Sequence, residues 1–581
     1  MKVLNLLPLL FEYFEKFCIK IATKRWHKPG FYLSTLFTAP VALYLHRKET
    51  RSAGLRVVLQ VAANVLLIFS LYFLLRGFLI FLLLLPAARI VKFVYDRLRI
   101  GEVVAEPIPW KFTFRFEKLD LLSLLFILFI FLGFLVNADK FTPTGPDCWY
   151  HMAVSRKIME LGEIPLWDTW EFQWNPDVIP PDAGAIPPGR PHLYPPLFHL
   201  LIAAFSPDAE HIIEGAQVLQ LVLYPAALLT SWYFARLLFS SKVAFIALII
   251  LSMDITFSIL FIGVMPSSLI NLLFPLVLIG FFSRRLIISV PFMVLCLYSH
   301  LSLPFLVLIC LFVLSYKYRA YFSFYKKFIV LSLILYLPWA LRVWFFKDFL
   351  RSFSAMVGNP LLGLLVGMLS LQILNPLFLF CGIQGLRKSS GINRDVVKYI
   401  LIGFLPALIF YGGRYWFHTA PFWGIFIGLY LKEKISSRKR IALLLLFALV
   451  PLPLVAFNVP KGGPPVILSI TAADNVLGLH LWPSSYYGED RELEALIEQY
   501  TSPDQVIHVD EGSLADKIVV LTGRPVDNGM WFEVGSGEIH ERIEYTRLYE
   551  RPAVFVYLNR DELPPVDEIY RVGRYWIALR V

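Results

Sequence analysis

Two short stretches concentrate polar, chemistry-bearing residues in a chain otherwise made of long apolar runs. They are Thr144-Gly-Pro-Asp147-Cys-Trp-Tyr-His151 and Leu193-Tyr194-Pro-Pro-Leu-Phe-His199. Asp147 stands just past an apolar span that begins at Leu119. A carboxylate where a membrane helix meets water is expensive unless it has a task. Partial burial suits it to act as a general base. Its structural alternative is an N-cap for a helix starting near Trp149, since Asp is a favoured capping residue. His151 lies four residues on, so one helix face could present both side chains. It is a candidate to bond Asp147, contact a phosphate or ligate a metal, or else to pack under the loop. Asp168 and Glu171 share a helix face if their segment is helical. They would then offer oxygen ligands to a divalent ion, Mg2+ or Mn2+. Otherwise they are solvated acids beside the aromatic anchors Trp167 and Trp170.

Cations and polar groups from further along the chain complete the set. Arg414 follows Gly412-Gly413 at the outer end of a span. A guanidinium stays charged and grips phosphate with two bonds, so it can stabilise negative charge growing on a leaving group; snorkelling to lipid headgroups is its alternative. Arg342 is a weaker candidate for the same work, near the outer end of another span. His300 sits in Ser299-His-Leu-Ser302, an outer turn between two short spans, where a His is as readily functional as structural. Tyr194 is a candidate substrate contact, and the following Pro195-Pro196 sets a helix start.

What must position these groups is a membrane. The chain has 581 residues, 57% of them hydrophobic and 17% charged; soluble proteins average about 45–50% and about 25%. Residues 1–118 read as an accessory segment, with a membrane hairpin over 57–91 and a basic linker. Eleven core spans are expected near 119–136, 212–238, 243–256, 268–282, 286–299, 301–315, 328–346, 361–380, 399–411, 417–431 and 441–457. The basic loops between them fall on the cytoplasmic side if the first core span ends outside, as the positive-inside rule requires. The loop 137–211 then faces outward, with 193–205 as an interfacial helix. From Asn458 onward there are 11 Lys and Arg against 20 Asp and Glu. This acidic region alternates strand-like and helix-like runs, with a helix over 513–522 closed by Gly523. It is expected to be an extracytoplasmic α/β domain, 458–581. The basic charge lies in short loops and is no nucleic-acid signal, and the five scattered cysteines form no metal or disulfide framework. The absence of inverted halves counts against a flippase or other transporter.

The run Gly145-Pro-Asp147-Cys-Trp-Tyr-His151, then Gly162-Glu-Ile-Pro165-Leu-Trp167-Asp168, then Tyr194-Pro-Pro196, resembles the first external loop of the GT-C membrane glycosyltransferases. It is most similar to archaeal relatives of the oligosaccharyltransferase catalytic subunit. Gly263-Val-Met-Pro266 and Arg414-Tyr-Trp-Phe-His418 fit the same pattern, over a region of 119–457. The resemblance implies a GT-C catalytic domain that takes a sugar from a polyprenyl- or dolichyl-phosphate donor, with inversion. Asp147 would be the base, assisted by His151. Arg414, Arg342 and His300 would hold the donor phosphate, and Tyr194 and Tyr415 would touch substrate. The acceptor would be a glycan, a lipid or a protein. The Trp-Trp-Asp-x-Gly motif of oligosaccharyltransferases has no match here, and the region after the third span holds one acid, Asp254, where that family has a second metal motif. Both departures favour a lipid-phosphate sugar donor over transfer of a preassembled glycan to protein.

Overall fold

The computed structural model describes residues 106, 114–136, 146–171, 190–347, 376–388, 391–407, 412–435, 437–449, 453–457, 466–469, 488–509, 512–526, 554–558 and 566–579. Most of the accessory segment, most of the span expected at 361–380 and residues 527–553 of the acidic region lie outside them.

Helix α1, Lys118–Val136, shows how the bundle is built. Its Leu/Phe/Ile stretch has a mean hydropathy of 2.8. One stripe, including Phe126, Ile130 and Phe134, is buried, while Leu121, Leu125, Leu128 and Leu132 face outward as lipid would require. After α2, Pro146–Leu161, the short strands β1, Trp167–Asp168, and β2, Arg190–Pro191, pair antiparallel and pinch the first loop at its base. The short helix α3, Leu197–Phe205, follows. Next come α4, Ile212–Leu238; α5, Ser241–Ser252; α6, Ile255–Ile262; α7, Ser267–Phe282; α8, Leu286–Ser299; and α9, Leu303–Lys317. The bundle continues with α10, Phe322–Phe345; α11, Pro376–Lys388; α12, Ile392–Gly403; α13, Gly412–Lys434; and α14, Arg438–Leu449. Among the described residues, α1, α4 and the stretch Arg319–Phe345 are long and apolar enough to cross a membrane by themselves. Helix α4 is the central one: 67% of its most apolar window is buried, against 22% for the peripheral Arg319–Phe345. Prolines 225, 275, 291, 338 and 421 fall inside helices. In a bundle, neighbouring helices and side chains re-satisfy the backbone groups they free.

Two expected spans change shape. The run 243–256 is broken at Met253-Asp254, where Asp254 accepts a hydrogen bond from Phe257 N (3.4 Å) and starts α6. The run 441–457 is not one helix. Helix α14 stops at Leu449, and Pro453–Phe457 forms β3, antiparallel to β4, Val466–Ser469. Pro451 and Pro453 explain the stop, because neither can continue the backbone ladder.

At the end of α1 away from the first loop, Arg236 of α4 forms a buried two-pronged ion pair with Asp120 (2.7 and 3.2 Å) and lies over the Phe114 ring (4.4 Å). The C-terminal region holds α15, Glu489–Tyr500, and α16, Gly512–Thr522, against a four-stranded sheet. The strands are β5, Ile507–Val509; β6, Val554–Tyr557; β7, Glu568–Val572; and β8, Tyr575–Leu579, in the order β5-β6-β8-β7. The β5–β6 pair is parallel and the other two are antiparallel. Gly523, at φ +69°, closes α16 as expected. Parallel bridges from Ile507 to Val526, and from Val526 to Glu171, extend this sheet into the first loop.

Candidate active site

Asp147 lies in the first turn of α2, one residue inside a helix that Pro146 opens. Proline is well suited to that position, and a carboxylate there complements the helix dipole. The side chain is half-buried. The helix packs on α3 and on α16, so its start is held between the membrane bundle and the C-terminal region.

One turn on, His151 is buried, and its Nδ1 is 2.9 Å from Nε2 of His199 in α3. Burial lowers the pKa of His199 to about 3, so its ring is neutral at ordinary pH. One proton therefore bridges the two rings. Tyr194 stands at the centre of the cluster, its ring 5.0 Å from His151, 5.8 Å from His199 and 5.9 Å from His300. His192 joins at 5.3 Å from His199. His300 ends α8 and turns its Nδ1 toward the backbone N–H groups of Ser302 (3.2 Å) and Leu303 (3.3 Å). Accepting there puts the proton of the neutral ring on Nε2, which leaves that atom a donor.

The motif reading passed over His192 and quoted His199 only as the end of its stretch, with no role, although the two flank Tyr194-Pro195-Pro196. The signal was available: two prolines ahead of α3 place His199 in its first turn, and the strand pair β1–β2 delivers His192 beside it.

Other candidates take different places. The guanidinium of Arg342 is committed to the loop backbone: Nε donates to the His192 carbonyl (3.0 Å) and Nη2 to that of Leu166. Trp339, one turn earlier in α10, donates to the Leu193 carbonyl (3.2 Å). Together these side chains fix the segment that carries His192 and Tyr194. Tyr415, expected as a substrate contact, packs in the core. It is buried, its hydroxyl donates to the Leu401 carbonyl (3.4 Å), and its ring packs on Trp416. Arg414 is in the first turn of α13; its side chain lies outside the described residues. Four residues later, His418 bonds Asn271 of α7 (2.9 Å), whose amide donates to the Phe417 carbonyl (3.0 Å). This joins the start of α13 to the start of α7, whose hairpin partner α8 ends at His300.

The expected metal ligands do not share a helix face, because their segment is not helical. Asp168 is in β1 and buried, and its Oδ1 accepts the N–H groups of Trp170 (3.1 Å) and Glu171 (3.0 Å). Glu171 is buried in the bridge to Val526. Among the described residues, no group of three His, Cys, Asp or Glu side chains is disposed to hold a metal ion. The described residues thus present no complete donor set for Mg2+ or Mn2+, and no step below runs through a metal.

No protein-family model matches the sequence, and no curated protein matches it. Solved structures do. ArnT from Cupriavidus metallidurans, in its apo state, superposes with a TM-score of 0.52 at 14% identity, covering 79% of this chain and 98% of that one. The same protein bound to undecaprenyl phosphate gives 0.51 at 13%, with the same coverage. The Archaeoglobus fulgidus oligosaccharyltransferase in its apo form gives 0.45 at 11%, covering 75% of this chain and 69% of that one. The chain thus shares its fold with ArnT, in line with the GT-C-like polytopic fold that its first-loop motifs led us to expect, and its apolar helices are those of a membrane protein.

Proposed function

We propose that this protein is a membrane glycosyltransferase that takes a sugar from a polyprenyl- or dolichyl-phosphate carrier. The observation that carries the reading is Asp147: a half-buried carboxylate at the start of a helix wedged against the bundle, beside a cluster of His and Tyr side chains. The shared fold with ArnT, a protein crystallised with undecaprenyl phosphate, supports the donor class.

Asp147 takes the proton from an acceptor O–H or N–H. The acceptor atom attacks the anomeric carbon from the face opposite the phosphate. The bond between that carbon and the phosphate oxygen breaks, its electron pair leaves with the lipid phosphate, and the configuration inverts. Arg414 would meet the charge that develops on the leaving oxygen, supported by the donor Nε2–H of His300. The bond between Asn271 and His418 ties the helix bearing Arg414 to the hairpin that ends at His300. The pair of His151 and His199 would fix the wall below Asp147, and Tyr194 would meet the sugar or acceptor. In this proposal residues 1–118 are an accessory segment, 119–457 the catalytic domain and 458–581 a separate domain. The first loop and that last domain are extracytoplasmic.

The test is to incubate purified protein with labelled polyprenyl-phosphate sugars and several acceptors, a sequon peptide among them. Asp147→Asn should lower turnover by about 10²–10⁴-fold, the usual contribution of a positioned base, with an unchanged melting temperature. Near-normal turnover by this variant would remove the base assignment. Transfer to the sequon peptide alone would reassign the protein as an oligosaccharyltransferase.

A further inference from the structure

The C-terminal region grips the helix that carries Asp147 at points spread along its length. Lys517 of α16 is buried; desolvation lowers its pKa, and the paired Asp490 opposes that. Its Nζ is 2.7 Å from Asp490 Oδ2 and 3.0 Å from the Tyr575 hydroxyl, which donates to Asp490 Oδ1 at 2.6 Å. The same Nζ lies 5.2 Å from the ring centre of Trp149, within range of a cation–π contact. Trp149 is two residues from Asp147. Further along α2, Arg156 Nη1 donates to the carbonyls of Val520 (2.7 Å) and Leu521 (2.8 Å), the orphan acceptors at the end of α16. Its Nε is paired with Glu160 (2.7 Å). Gly523 has φ +69°, which favours glycine, and a Cβ there would also press on the ends of Glu160 (2.8 Å) and Arg156 (3.0 Å). Beyond α2, Val526 N donates to the Trp170 carbonyl (2.8 Å).

A buried ion pair is a poor device for stability alone, since well-packed apolar residues often do as well or better. It does fix geometry. One residue of a helix corresponds to about 100° of rotation, so a small roll of α2 would swing Asp147 away from the cluster around Tyr194. Anchors at Trp149 and Arg156 oppose that roll.

We propose that Lys517 is a positioning residue: through Trp149 it sets the orientation of α2, and with it the direction of the Asp147 carboxylate. This rests on the reading of Asp147 as the base. The experiment uses the full chain, with Cys148 as its sole cysteine and the other four replaced by Ala. Cys148 lies between Asp147 and Trp149 and is fully buried, so its rate of reaction with a maleimide reports release of α2 independently of turnover. Lys517→Met should raise that rate about tenfold, the order expected for loss of a desolvated cation–π contact. It should lower kcat by a similar factor while leaving KM for the lipid-phosphate sugar within about twofold. Lys517→Arg should restore both. Lys517→Met combined with Asp490→Leu leaves no unpaired charge, keeps the fold and should behave as Lys517→Met does.

The proposal is overturned if Lys517→Met leaves both Cys148 protection and kcat unchanged. It is equally overturned if the double variant behaves as wild type, because the unpaired Asp490 would then be the cause. Faster labelling of Cys148 in a protein that transfers no sugar would uphold the clamp and reject the glycosyltransferase reading. Loss of transfer in Asp147→Asn with silent Lys517 variants would do the reverse.

Discussion

Neutral His199 is what allows its nitrogen to sit 2.9 Å from His151, because two protonated rings would point N–H groups at each other. Its folded pKa, about 3, is below the ordinary 6.5, so between these values the unfolded chain binds more protons than the folded one. Stability from this group is therefore complete above pH 6.5 and declines as the pH falls toward 3. His199→Gln, which keeps a polar partner for His151, should flatten that decline in a plot of melting temperature against pH. An equal slope in both proteins would show that the pair does not titrate as described. That Asp147 and His151 share one helix turn was legible in the sequence from their spacing. The partner of His151 was not, because it comes 48 residues later and only the packing of α3 on α2 brings it near. The setting of Tyr415 was hidden for a related reason. Its motif is visible locally, but the Leu401 carbonyl that occupies its hydroxyl is on another helix.

Among the elements, α10 does more than border the bundle. Arg342 and Trp339 reach from it to the carbonyls of Leu166, His192 and Leu193, and so hold both ends of the pinched loop. Arg342→Met removes hydrogen bonds from a charged donor, each worth about 1.5–3 kcal/mol. We expect faster amide exchange and proteolysis around 190–194, with donor KM changed less than turnover. A selective rise in KM for the lipid-phosphate donor would instead make Arg342 a phosphate ligand. Helix limits at α1, α4 and α8 follow from the apolar runs alone. Those at 441–457 do not, since an apolar strand and an apolar helix look alike in composition. There Pro451 and Pro453 were the better guide than hydropathy.

The molecule as a whole depends on how closely its helices approach. A Cβ at Gly385 of α11 would lie 1.7 Å from the Phe426 carbonyl oxygen of α13, and one at Gly428 would lie 2.8 Å from that of Val243 in α5. Small residues at such crossings let membrane helices pack backbone to backbone. Gly385→Ala must push α11 and α13 apart and should cost about 1–3 kcal/mol, seen as a lower melting temperature in detergent. An unchanged melting temperature would mean that this crossing is loose. The membrane class and the acidic C-terminal region could be read from composition, but the way that region closes on α2 could not, because its contacts are the most remote in sequence. Arg156 and Leu521 are 365 residues apart. A ribosome adding about 5–20 residues per second leaves α2 waiting on the order of tens of seconds for the carbonyls that orient it. The surroundings of Asp147 thus mature long after its own helix is made, and a product terminated before α16 would carry every membrane helix described above with α2 still unclamped.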